Sequence, residues 1–133
     1  MVHIQYDYIF GLEQQKLIIP ILNQAFKSEL QEYKEQFSKH DYYDNKRNYE
    51  LKSRKNKMND YPTTLLTANK IVIEDEKKLY FIFNFTDKIA VIKYKKNKFD
   101  KYQKKMFSRI NDKADEKEYY YIPIEDLIII YEK

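Results

Sequence analysis

The residues with the clearest capacity for chemistry lie in the stretch 41–54, which reads D-Y-Y-D-N-K-R-N-Y-E-L-K-S-R. Tyr42, Tyr43, Tyr49 and Leu51 favour strands, and the polar run 45–48 predicts a tight turn between them. Residues two apart in a strand share a face, which puts Glu50 and Lys52 together. A turn of two or four residues pairs positions whose numbers sum to an odd value. Asp41 then joins Glu50 and Lys52, and Asp44 lies on the other face; a three- or five-residue loop exchanges the two aspartates. Opposed residues on paired strands have backbones roughly 5 Å apart, close enough for two carboxylates to hold one hard divalent cation such as Mg²⁺ or Mn²⁺. A lysine beside them can orient a water or steady a negative transition state. Cation-assisted hydrolysis of a phosphodiester is the chemistry this set suits best.

An acid, any residue and a lysine also occur in sequence at Glu32, Asp44, Asp75, Glu76 and Asp115, so the triplet alone carries no information in so charged a chain. Strand context, an apolar middle residue and an upstream acid in register set Glu50-Leu51-Lys52 apart. The bland alternative is a solvated, charged hairpin.

The wider pattern is Asp41, eight residues, Glu50-Leu-Lys52-Ser-Arg54 and then Tyr61-Pro-Thr-Thr64. It resembles the PD-(D/E)XK nuclease superfamily, and in particular small viral and phage members carrying E-L-K-S-R … Y-P-T-T. His40 stands where many members have a proline. The resemblance implies a restriction-endonuclease-like α/β fold, a mixed β-sheet flanked by helices. It further implies a Mg²⁺-dependent endonuclease, with Mn²⁺ as a substitute, and DNA favoured over RNA as substrate. Asp41 and Glu50 become metal ligands, Lys52 the water-positioning group, and Glu13 a further metal-site acid on the first helix. Arg54, Thr63, Thr64 and Lys70 become phosphate or substrate contacts. Generic chemistry offers alternatives: Glu13 favouring a helix N-terminus, Thr63 or Thr64 capping a helix over 64–70, and Lys70 on a solvated face.

Composition narrows the field. A chain of 133 residues with 14 Tyr and 8 Phe is expected to form a single domain with one core, not a disordered tail. Without cysteine it has neither disulfides nor thiolate zinc sites. A lone glycine, Gly11, excludes glycine-rich phosphate loops. No apolar run suits a membrane helix and the first residues do not read as a signal peptide, so an intracellular location is expected. His3 and His40 read as ordinary surface or strand residues. The net charge of +4 is consistent with a nucleic-acid partner without being diagnostic. A nuclease cutting both strands often works as a homodimer.

These residues must be held by surrounding elements. Weak alternation over 1–10 suggests a lead-in strand or extended arm, and apolar spacing from Leu12 a helix that kinks or restarts at Pro20. Phe26, Leu30, Tyr33 and Phe37 extend the helical spacing to about residue 36. Residues 79–85 and 89–94 form the clearest hairpin, its first strand apolar enough to be covered on both faces. The run 93–109 interleaves lysines with Phe99 and Tyr102, a pattern that could track phosphates while aromatics stack on bases. Residues 113–118 read as a charged loop, 119–124 as a strand, and 127–131 as a strand or short helix. Two further readings compete with the nuclease: a nucleic-acid-binding module without catalysis on the same fold, and a viral or phage accessory protein.

Overall fold

The computed structural model describes residues 2–34, 39–73, 76–107 and 117–133 and, for residues 2–12 and 107, the backbone alone. The chain opens with helix α1 (Val2–Phe26), followed by β1 (Gln31–Glu32), β2 (Tyr42–Tyr43) and β3 (Arg47–Ser53). A 3-10 turn (Met58–Asp60) leads to β4 (Thr63–Thr67), and a second (Ala68–Lys70) leaves it. Then come β5 (Lys78–Asn84), β6 (Lys88–Lys93), the short helix α2 (Lys96–Phe99), β7 (Gln103–Phe107) and β8 (Lys117–Pro123). A last 3-10 turn (Ile124–Asp126) precedes β9 (Ile128–Glu132).

The strands form a six-stranded mixed sheet, β1-β2-β3-β5-β6-β9, and a three-stranded antiparallel sheet, β4-β8-β7. The protein is therefore a mixed α/β fold with two helices among the described residues. Among the described strands only β3 and β5 run parallel. A crossover is needed between parallel neighbours, and here β4 of the second sheet supplies it in place of the usual helix.

The large sheet is covered on both faces, as the apolar run of β5 predicts. Ile18 and Leu22 of α1 pack with Tyr42, Tyr49, Ile82, Ile89 and Val91 on one side. Phe81, Phe83 and Ile92 meet Leu66, Tyr120 and Ile122 of the small sheet on the other. Tyr49 and Leu51 thus belong to the helix side, while the intervening Glu50 and Lys52 belong to the face of Phe81 and Phe83. No helix among the described residues is long and apolar enough to cross a membrane.

Several expectations are corrected. Residues 2–10 are helical, not extended. Helix growth is cooperative, and the pattern beginning at Leu12 extends back through a stretch with no proline. Pro20 neither starts nor ends α1. It is exposed, so the bond it cannot donate is lost on the outer side, while Ile18 and Leu22 hold the helix to the sheet. The helix stops at Phe26, where Lys27 turns left-handed (φ 51°) and Ser28 N–H closes onto the Asn23 carbonyl. Leu30 is buried beyond that stop and Gln31–Glu32 pair as a strand; residues 35–38 of the expected second helical piece lie outside the described residues.

Residues 63–67 are a strand, not a capped helix. Thr64 and Leu66 face inward while Thr63, Leu65 and Thr67 alternate outward, a period-two pattern of β-branched and apolar residues that pairing with β8 rewards. The aromatics of the basic run are also placed differently. Phe99 is fully buried against Phe81, Tyr94, Tyr102 and Tyr120, and Tyr102 donates its hydroxyl hydrogen to Asp126. They anchor α2 to the core and leave Lys95, Lys96, Lys98, Lys101, Lys104 and Lys105 exposed. Arg109 and residues 113–116 lie outside the described residues.

The β2–β3 turn is as short as a hairpin allows. Asp44 N–H donates to the Arg47 carbonyl, enclosing Asn45 and Lys46. The Asp44 carboxylate accepts from the backbone of Lys46 and Arg47, the Arg47 guanidinium and the buried Tyr49 hydroxyl. Burial pushes its pKa upward, but the hydrogen bonds from Tyr49 and the turn amides outweigh that and hold it below the usual range. Asp44 is a turn-building residue. Asp44→Ala strips partners from two amides and a buried hydroxyl and is expected to cost about 2–4 kcal/mol, read as a lower urea midpoint with unchanged slope.

Candidate functional site

The two-residue turn decides which aspartate faces Glu50. Tyr42 pairs with Tyr49 and Tyr43 with Asn48, so opposed numbers sum to 91 and the register carries Asp41 to Glu50. The chain bends at Asp41: its N–H donates to the Tyr49 carbonyl, and its carboxylate accepts the Leu51 N–H at 2.7 Å. That bond turns the side chain toward β3. Asp44 is on the opposite face, bound to Tyr49.

Glu50 is 5% exposed. A carboxylate cannot be buried on a sheet face without compensating charge, and cations come from two directions. Lys52, two residues along β3, brings its ammonium within 3.4 Å of Glu50 Oε1. Lys70, in the 3-10 turn after β4, reaches the same oxygen at 3.7 Å. His40 approaches Oε2 with Nδ1 at 3.8 Å, while its Nε2 lies 2.9 Å from the Val72 carbonyl. That carbonyl is an acceptor, so Nε2 carries a hydrogen. Nδ1 is buried without a hydrogen-bond partner.

Glu50 disturbs Asp41. Burial, followed by repulsion from Glu50, raises the Asp41 pKa from 3.8 to about 6, against the opposing effects of the Leu51 amide, Lys52 and Lys70. Lys52 moves the other way: burial pulls its ammonium below the ordinary lysine range despite the neighbouring Glu50. A partly buried lysine and two crowded carboxylates are an unfavourable combination if fold stability is the only criterion.

Next to this cluster runs a groove of about 720 Å³. Lys52, Arg54, Lys70 and Lys117 supply its charge, Tyr61, Tyr119 and Tyr121 its aromatic surface, and Thr63 and Thr67 its hydroxyls. No carboxylate is among its described lining residues. Arg54 is pinned at the edge of β4, donating through Nε to Thr64 Oγ1 at 3.4 Å and through a terminal nitrogen to the Leu65 carbonyl at 2.5 Å. Its guanidinium also lies 5.7 Å from the centre of the Phe83 ring.

Most of the residues singled out in the sequence converge here: Asp41, Glu50, Lys52 and Lys70 in one charge cluster, Arg54 and Thr63 along the groove. Thr64 also lines the groove, but it is buried and its hydroxyl accepts from Arg54, which makes it a support for that arginine. Glu13 is exposed on α1 and does not complete a three-carboxylate set with Asp41 and Glu50; among the described residues no three His, Asp or Glu side chains do so. His40, Lys117, Tyr119 and Tyr121 were not expected at the site. The doubled alternation of E-Y-Y-Y-I-P, which must point Tyr119 and Tyr121 away from the core once Tyr120 and Ile122 enter it, is the signal that could have revealed the two tyrosines.

Comparisons with family models, with curated proteins and with solved structures return no match for this chain. The site has to be read from its own chemistry.

Because Asp41 binds its proton more tightly in the fold than in the unfolded chain, stability is lost as pH rises from 3.8 to about 6. The shift is equivalent to roughly 3 kcal/mol. Asp41→Asn keeps an acceptor for the Leu51 amide and removes the charge. In EDTA its thermal midpoint is expected to exceed wild type at pH 8 and to match it near pH 3.5.

Proposed function

We propose that this protein is a Mg²⁺-dependent nuclease built on a restriction-endonuclease-like core, hydrolysing phosphodiester bonds, with DNA the favoured substrate. The observation that carries the reading is the pairing of Asp41 with Glu50 beside Lys52. The resemblance of the E-L-K-S-R … Y-P-T-T pattern to small PD-(D/E)XK nucleases supports the same assignment.

The donor set fits the cation. Mg²⁺ commonly takes one or two protein carboxylates and fills its remaining positions with water and substrate phosphate, so a third acid is not required. Asp41 and Glu50 would hold it, and a divalent charge there would relieve the Glu50 repulsion that adds to burial in raising the Asp41 pKa. Bound there, Mg²⁺ supplies Lewis-acid polarisation of a phosphoryl oxygen and a lowered pKa for water; Mn²⁺ has the same preference for oxygen ligands.

The chain's own residues do the rest. Lys52 carries donors that orient an attacking water and neutralise charge developing on the phosphate, and its partial burial strengthens both effects. Lys70 balances Glu50 at the same oxygen as Lys52 and extends positive charge to the groove. Arg54, fixed by Thr64 and Leu65, offers a preoriented guanidinium, and Thr63 a hydroxyl, to the phosphate backbone. Glu13 is exposed on α1, which packs on the Tyr49 and Leu51 face of the sheet, and it takes no part in the proposed set.

The second reading is nucleic-acid binding without hydrolysis. The basic, tyrosine-lined groove favours it, because binding there needs neither carboxylate.

A single-turnover cleavage assay in Mg²⁺ separates the two. Asp41→Ala, Glu50→Ala and Lys52→Ala are each expected to lower the rate at least 100-fold, and Glu13→Ala by no more than a few-fold. EDTA abolishes cleavage and Mn²⁺ restores it. Equal rates in wild type and the Glu50 and Lys52 variants would remove the proposed active site, while absent cleavage with retained, salt-sensitive binding would leave the binding module.

A further inference from the structure

The groove beside Glu50 does not end at the active-site cluster. Its lining continues from Lys52 and Lys70 to the outward residues of the small sheet, where Thr63, Leu65 and Thr67 of β4 lie beside Pro123, Tyr121 and Tyr119 of β8. Beyond β8, β7 sets Gln103 opposite Tyr121 and Lys105 opposite Tyr119. Lys105 is exposed, with its ammonium 5.7 Å from the centre of the Tyr121 ring. Strand alternation buries Tyr120 and Ile122 between the sheets and so commits Tyr119 and Tyr121 to the outside.

We infer that this face is the binding platform for single-stranded nucleic acid, whose bases stack on Tyr119 and Tyr121 while its backbone follows the lysines into the active-site groove. The inference rests on the nuclease reading for its direction, since it names the substrate class delivered to Asp41 and Glu50. Three features favour a single strand. Tyr119 and Tyr121 are two residues apart on one strand, roughly 7 Å, so successive bases of an extended strand can each meet a ring. In a duplex the base faces are already stacked on one another and unavailable to side chains. The charge is complementary to a polyanion: Arg54, Lys70 and Lys117 line the groove together with the rings, Lys105 lies over the Tyr121 ring and must swing aside for a base to stack on that face, and no carboxylate is among the described residues lining the groove. Tyr61, 62% exposed at the groove, adds a further aromatic surface. Aromatic rings on an open sheet face with lysines around them are a recurrent solution for holding unpaired bases.

The test is fluorescence anisotropy in EDTA, which measures binding whether or not the protein cleaves. Probes are labelled polydeoxyuridine and polyuridine strands of about 12 nucleotides and a duplex of equal length; the tighter of the two strands identifies the preferred sugar. Wild type is expected to bind a single strand at least tenfold more tightly than the duplex. Tyr119→Ala and Tyr121→Ala each weaken single-strand binding roughly 5- to 100-fold, whereas the Tyr→Phe variants, which keep the ring, stay near wild type. Lys105→Gln and Lys117→Gln, which leave the rings in place, each lower the salt dependence by close to one phosphate contact. Equal affinity for duplex and single strand, or alanine variants that bind like wild type, would overturn the platform. Loss of cleavage in the Glu50 series is a separate readout, so the platform can fail while the nuclease stands, and the reverse.

Discussion

Parallel pairing of β3 with β5 is the constraint from which the rest of the architecture follows. It sets Glu50 beside Phe81 and Lys52 beside Phe83, on the sheet face that carries the main aromatic core. A carboxylate in that row has little water available, so its charge must be met by protein cations. Lys52 comes from the same strand, but Lys70 comes from a segment that must be brought over the sheet. The β4 crossover does this. By replacing a helix with a strand of a second sheet, it places the 3-10 turn after Thr67 directly above Glu50.

The electrostatics of the cluster are those of a site held away from its stability optimum. Glu50 and Asp41 repel each other, Lys52 is partly desolvated, and His40 turns a buried, unpartnered nitrogen toward a carboxylate. Well-packed apolar residues would serve the fold at least as well. The remainder of the sheet carries the stability: α1 and the Tyr42, Tyr49 and Ile82 cluster cover one face, the small sheet the other. Such a division, with a rigid scaffold under a small group of perturbed charges, is where functional residues concentrate.

The two sheets contribute different parts of the charge cluster and its groove. The large sheet supplies both carboxylates and Lys52, all from the β2–β3 hairpin and its entry bend. The small sheet supplies Thr63, Lys117, Tyr119 and Tyr121 from adjacent strands. Arg54 links them, leaving β3 to bond the edge of β4 while its guanidinium lies over Phe83 of the large sheet. Any shift between the sheets would therefore be felt at the groove, because Arg54, like Lys70 at Glu50, joins one to the other there.

Local chemistry was sufficient for part of this. The alternation of Tyr, Glu and Lys and the polar turn between Asp41 and Glu50 determine a hairpin face, since both period and turn are short-range properties. The continuous apolar run of β5 likewise determines a strand covered on both sides. Turn length chose Asp41 over Asp44, and that depended on how the Asp44 side chain closes its own loop. Local pattern points to a capped helix from Thr63 or Thr64, and pairing with β8, a partner more than fifty residues away, makes Thr63–Thr67 a strand instead. The inward turn of Phe99 and Tyr102, the arrival of Lys70 and His40 at Glu50, and the outward commitment of Tyr119 and Tyr121 were decided the same way. Sequence periodicity says which residues share a face; only the packing of one sheet on the other says which face meets water, which meets the core, and which distant charge it finds there.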